Sequence, residues 1–473
     1  MKSKRRKWLW ATLALVAVSF LFGAYLTTGE HPDYKRAAKG LPLAKSRAQE
    51  AFGTLTWEEY RKETGTVRNV DLSLWKKAAD SVPQHIKDFW NDPYGSSLTY
   101  HDLYSQDREW FETVDALIAD LHFEHQPAED RIGWNDDCFS LSGQLGKALM
   151  VGLVGAADDG DAEAVLRIGA AMNALSWALL EEPSIMPALR QSAVASRTNH
   201  ALVRAAVRNR KEKDIIRSLV AIAGDIPSWP PIKQIMSAEA RGTQIYFQLF
   251  RSAKPNEIDD LLDEKVTGPD FPGASFSPLV EKGIKVWEER TDKQFDRHRR
   301  TGPHTAAALE ARYWEMIVDV LPLMEGVVRN EPGSWSKLQR FPDELDDQDD
   351  RSYEMADAVV SRKLFAQVYQ SIQFRYQATK VAVNLISRFP SHGDVPTTLP
   401  ADLVFADPFG GDPILFKKTK RGFLIYTRYF NYKDDGFPWE YPEQEGREVS
   451  YWMSRDRKDY GLIVSYDPIE FQN

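Results

Sequence analysis

The chain has 473 residues, of which 43% are hydrophobic and 27% charged, a balance that excludes a wholly disordered or collagen-like polymer. Its net charge of −9 argues against a dedicated nucleic-acid binder, which needs a basic surplus to displace phosphate counterions. The single cysteine, Cys138, excludes an intramolecular disulfide framework and any cysteine-rich zinc or iron–sulfur site.

Residues 1–7 form a basic tail carrying Lys2, Lys4, Arg5, Arg6 and Lys7, and residues 8–26 then run without a charge. As a helix, that run spans roughly 28 Å, close to the hydrocarbon thickness of a bilayer. Trp8 and Trp10 at one end and Tyr25 at the other suit the two interfaces. The run is longer than the apolar core of a signal peptide and ends in a poor cleavage context, which favours a retained anchor. The basic tail should stay cytoplasmic, placing the rest of the chain outside the cytosol. The expectation is a single-pass inner-membrane protein with a periplasmic body, and with the membrane itself as one partner.

A Lys-, Gly- and Pro-containing linker is expected over residues 27–43, then a helical extracytoplasmic domain over 44–342. Residues 107–123 set Trp110, Phe111, Val114, Leu117, Ile118 and Leu121 on one helical face. A small-residue-rich helix over 139–153 ends near Gly160, and Asp161 caps a second helix reaching Leu180. The buried stripe of that second helix is Val165, Ile168, Met172, Leu175 and Leu179. Further helices are expected over 184–207, 214–223, 233–250 and 306–328. Residues 226–231 (Ile-Pro-Ser-Trp-Pro-Pro) form a loop, and the acidic stretch 343–350 is solvated.

From residue 361 to 473 the character changes to a long helix over 362–389 and a small antiparallel sheet. Its hairpin pairs 414–417 with 423–429, and strands over 449–453 and 462–466 complete it. The fold class expected is therefore mainly α, as helical hairpins or a bundle, with an N-terminal transmembrane helix and a small C-terminal α+β module.

Two tail segments stand out: Asp407-Pro408-Phe409-Gly410-Gly411-Asp412-Pro413, and Lys433-Asp434-Asp435-Gly436. A helix, that turn, a hairpin and a KDDG loop resemble the C-terminal globular part of type II secretion pseudopilins. The tail also resembles that of a group of uncharacterised bacterial membrane-anchored helical proteins, which brings no activity. The pseudopilin resemblance implies calcium held by Asp434 and Asp435, with Asp407 or Asp412 contributing oxygens. Asp and Gly also build tight turns unaided, which is the competing reading of the same residues. The N-terminus departs from the pseudopilin pattern. Lys7 precedes Trp8 where a Gly-Phe processing site is required, and no acidic residue occurs before Glu30. Processing and assembly into a pseudopilus are therefore not expected.

No catalytic motif is complete. His122 and His125 flank Glu124, but neither H-E-x-x-H nor H-x-x-E-H is present. Residues 141–148 miss the P-loop pattern, with Leu141 in place of the first Gly and Ala148 in place of Ser/Thr. Ser142 lacks the first glycine of a nucleophile elbow, and Asp136 and Asp137 would raise the Cys138 thiol pKa. Trp57, Trp75, Trp90, Trp110, Trp134 and Trp177 read as core on helical patterns. Trp229 and the aromatic stretch 437–442 read as a contact surface or as a cap on the sheet. The function expected is a scaffold or protein-interaction module of the bacterial envelope, with no resident cofactor unless calcium binds the tail, and no nucleic-acid partner. The alternative is an envelope metal-dependent hydrolase assembling His101, His122, His125 and Glu124 within the bundle.

Overall fold

The computed structural model describes residues 36, 38–56, 59, 72–91, 98–121, 136–180, 185–241, 303–331, 334–340, 353–428, 449–453 and 460–466. The expected anchor at 8–26, the acidic stretch 343–350 and the aromatic stretch 437–442 lie outside these. Among the described residues, no helix is long and apolar enough to cross a membrane. The described chain is mostly helical, with a small antiparallel sheet near the C-terminus.

In chain order the helices are α1 (Leu41–Phe52), α2 (Leu72–Asp80), α3 (Gln84–Asn91), α4 (Tyr100–Gln106) and α5 (Arg108–Ala119). Then come α6 (Asp136–Asp158), α7 (Ala162–Ala178), α8 (Ile185–Arg208), α9 (Lys213–Gly224), α10 (Pro303–Val328), α11 (Ser334–Arg340) and α12 (Tyr353–Arg388). Helix α1 begins at Leu41, inside the stretch 27–43 expected as linker. Its proline stands in the first turn, where the missing N–H costs no internal hydrogen bond.

The chain divides into two compact units. The first includes α1 and α10 up to Val320. Within it Lys45 Nζ lies 2.8 Å from Glu310 Oε1, and the same oxygen accepts from Trp314 Nε1 at 3.2 Å. Glu310 is fully buried, so both donors offset the cost of removing its charge from water.

The second unit holds α2 to α9, α11, most of α12 and the sheet. Asp161 caps α7 as expected, its Oδ1 accepting from Ala164 N at 3.0 Å. The stripe Val165, Ile168, Met172, Leu175 and Leu179 is fully buried. Helices α6 and α8 run side by side and parallel, since Gly143 of α6 faces Arg190 of α8 while Asp158 at the far end pairs with Arg208. Glycines let α6 approach its neighbours closely. A Cβ on Gly155 would lie 2.4 Å from the backbone oxygen of Tyr100 and 2.4 Å from Tyr104 Cβ.

The sheet is antiparallel throughout in the order β1-β2-β4-β3: β1 Leu415–Lys418, β2 Gly422–Thr427, β4 Tyr460–Ser465, β3 Val449–Met453. Its central strands β2 and β4 are buried along their length, which explains their near-continuous apolar character.

Replacing Gly155 by Ala should destabilise the second unit by about 1–3 kcal/mol, because the new methyl meets rigid backbone. A urea titration in which this variant keeps the parental midpoint would contradict the close α4–α6 approach.

Candidate functional site

The tail turn is the first place where predicted residues meet. Asp407 is 1% exposed, and its carboxylate accepts from Thr427 Oγ1 at 2.6 Å, Phe409 N at 2.9 Å and Arg428 N at 3.1 Å. Its backbone N–H donates to Asp412 O at 2.7 Å, and Gly411 N returns to Asp407 O at 2.7 Å. Gly411 sits at φ +74°, a conformation that glycine adopts without a Cβ penalty. The Asp412 carboxylate pairs with the Arg428 guanidinium. Burial raises the Asp407 pKa, against the three donors that favour its ionised form. The structure thus brings Asp407 and Asp412 onto one turn, with both carboxylates engaged by protein donors. Asp434 and Asp435 lie outside the described residues. Among the described residues, no group of three or more His, Cys, Asp or Glu is placed to hold a metal ion.

The turn is keyed to the helices by Gln370 of α12. Its Nε2 donates to Pro408 O at 2.7 Å and to Val327 O at the end of α10 at 3.0 Å. Asn330, in the left-handed region at φ 57°, closes that helix end.

The acidic turn after α6 is absorbed in the same way. Asp158 pairs with Arg208 at 2.8 Å, and Asp161 accepts from Tyr104 at 3.1 Å and Arg108 at 2.7 Å. Burial, reinforced by the Asp161 charge, pushes the Tyr104 hydroxyl up to about 12. His101 faces Asp159 at 3.6 Å, while His122, Glu124 and His125 lie outside the described residues.

One aromatic expectation, for Trp177, needs correcting, and for Trp229 one of two open readings falls. Trp229 is buried, not a free contact surface: its ring stacks on Phe365 at 5.4 Å, and its Nε1 donates to Gln191 Oε1 at 2.6 Å. Proline and the missing regular backbone mark a loop but do not keep its side chains in water. Trp177, expected in the core, is 55% exposed. It lies about 200° round the helix from both Leu175 and Leu179, on the opposite face of α7. Trp75 is in the core as expected. Trp57, Trp90 and Trp134 have no described side chain.

Helix α8 carries the group of residues that motif reading passed over. One side bears Gln191, whose Oε1 accepts from Trp229 and from Tyr376 OH at 2.8 Å, and Ser196, whose Oγ accepts from Arg375 Nη1 at 3.2 Å. Arg375 also contacts the Tyr460 hydroxyl of β4, so this side faces α12 and the sheet. The other side bears Arg190, Arg197, Arg204 and Arg208 against α6. Arg204 lies over the Tyr100 ring at 4.6 Å, and Arg208 meets Asp158. Arg197 lies beside Arg190 and Lys147. Burial, then the Arg190 charge, lowers it to about 10, and burial and Arg197 lower Lys147. The sequence signal was present as Gly143-x-x-Gly146-Lys147, with arginines spaced by seven, seven and four.

No protein-family model, curated protein or solved structure matches the chain. The pseudopilin resemblance therefore rests on the tail residues alone.

Replacing Asp407 by Ala leaves three donors, two of them buried, without this acceptor and should cost roughly 2–4 kcal/mol. Guanidinium unfolding of the variant measures it, and a loss below 0.5 kcal/mol, on the order of an ordinary surface change, would contradict a structural role for this carboxylate.

Proposed function

We propose that the protein is a single-pass scaffold or protein-interaction module of the bacterial envelope, anchored by residues 8–26 with its body outside the cytosol. The basic tail and uncharged run support the anchor and its orientation. The observation carrying the interaction reading is the outer face of α7. Leu166 is 44% exposed and Trp177 55% exposed. Eleven residues apart, they lie within about 20° of each other round the helix. Ala170, between them on that face, is also exposed. A large aromatic and a leucine aligned on one exposed face form an apolar patch of the kind that marks contact sites, and Trp is frequent among residues dominating such contacts. The resemblance of the tail to a secretion component agrees with a role in an assembly of the envelope.

In living cells, photo-crosslinking from residue 170 should join the chain to one protein partner at a defined mass. Trp177→Glu should reduce that product at least fivefold while leaving the thermal midpoint unchanged. A crosslink pattern indifferent to Trp177→Glu would contradict the patch as contact surface. A C-terminal reporter active only in the cytosol would contradict the orientation.

A further inference from the structure

Two stretches of this acidic chain carry no acid. Residues 183–211 hold six Lys or Arg, and residues 413–433 hold another six. Asp and Glu number 69 in 473 residues, a share that would put several in each stretch. The fold brings parts of the two stretches together at Tyr466, the residue after β4. Its backbone N–H donates to Arg421 O, in the turn of the β1–β2 hairpin, at 2.8 Å. Arg210, two residues past α8, stands over its ring at 5.6 Å. Its hydroxyl donates to Phe389 O, at the end of α12, at 2.9 Å. Lys418 Nζ fastens the hairpin to the segment after α12, donating to Gly393 O at 2.9 Å and to Val395 O at 2.7 Å.

Some of these cations serve the fold. Arg210 Nη1 donates to Val207 O at 2.9 Å, where α8 ends, and Arg208 meets Asp158. Lys211, Lys213, Lys420 and Arg421 differ: they are exposed, and among the described residues none meets a carboxylate. Lys213 opens α9, the helix end at which an acid is favoured over a cation. The acids near them in sequence are Glu212, Asp394 and Asp467. Asp214 is paired with Arg217 at 3.0 Å and Asp402 with Arg388 at 2.6 Å. Cations therefore remain in excess at this end of the second unit, on a chain whose net charge is −9.

Clustered like charges repel one another, and an opposing field of negative charge relieves that repulsion. Long flexible side chains on two exposed turns suit a plane of fixed negative charge better than one small ligand. We propose that this basic end, through Lys211, Lys213, Lys420 and Arg421, rests on an anionic bilayer surface. The choice of lipid over an acidic protein rests on the anchor at residues 8–26, which keeps the body beside headgroups. It does not depend on the α7 patch.

The test is lysine footprinting of the full chain in nanodiscs, with an amine-acetylating reagent read by mass spectrometry. Discs of phosphatidylcholine are compared with discs rich in phosphatidylglycerol. Relative to Lys77, exposed on α2, acetylation of Lys211, Lys213 and Lys420 should slow by about fivefold or more in the anionic discs. High salt should abolish the difference. The pair Lys420→Glu and Arg421→Glu should remove the protection of Lys211 and Lys213 at an unchanged thermal midpoint. Should that variant not fold, Lys420→Gln should weaken the protection in the same direction. Equal labelling in the two discs, or protection that survives the substitutions, overturns the proposal. Protection in native membranes but not in anionic discs assigns the surface to an acidic protein and also overturns it. A chain that does not enter discs overturns the anchor instead. Phosphatidylglycerol vesicles added to that chain then decide the lipid contact by the same footprint.

Discussion

The second unit is organised around one buried amide. Gln191 is fully buried on α8, and its side-chain oxygen accepts two hydrogen bonds from segments distant in sequence, the Trp229 indole and the Tyr376 hydroxyl. A carbonyl oxygen has two lone pairs, so both are used. Each donor would otherwise be buried without a partner, at a cost of about 1–3 kcal/mol. The proline-rich loop 226–231 has no regular structure of its own, yet Trp229 fixes it by this bond and by stacking on Phe365. Tyr376 carries the same constraint into α12, which in turn holds the tail turn through Gln370 and β4 through Arg375. Helical body and sheet are thus linked by specific polar bonds inside an apolar core, where such bonds select one arrangement among many of similar burial.

That constraint gives α8 two unlike faces. On the face toward α12, Gln191 Oε1 accepts from Trp229 and Tyr376, and Ser196 Oγ accepts from Arg375. Its opposite face sets arginines against the glycine-bearing side of α6. Close approach of α6 to its neighbours follows from its small residues, and Arg197 Nη1 is buried there without a hydrogen-bond partner among the described residues.

Much of the architecture was legible from periodicity. The α7 stripe, the Asp161 cap, the long α12 and the β1–β2 hairpin follow from apolar spacing, a capping residue and a turn with Gly422. Gly422 is needed there because a Cβ would lie 2.1 Å from Val464 O across the sheet. The short helices α2 to α4 were not anticipated, since seven to nine residues give too few turns for a clear period. Trp229, read as a contact surface or a cap, is buried, and Trp177, read as core, is exposed, for related reasons. A loop side chain is buried by partners that local sequence does not reveal, and a helical tryptophan two positions off the stripe points outward. Of the predicted tail ligands, Asp407 and Asp412 proved adjacent, as their shared turn implied. The arginines of α8 escaped motif reading because their meaning depends on Gly143, Gly146 and Lys147, some fifty residues away in sequence.

Native-state hydrogen exchange of a Gln191→Leu variant tests most directly whether this single amide joins body and tail. Slowly exchanging amides in α8 and in α12 around Tyr376 should lose protection together and by a similar factor, with those of β4 following. Loss confined to α8, with α12 and β4 exchanging as in the parent, would contradict the account.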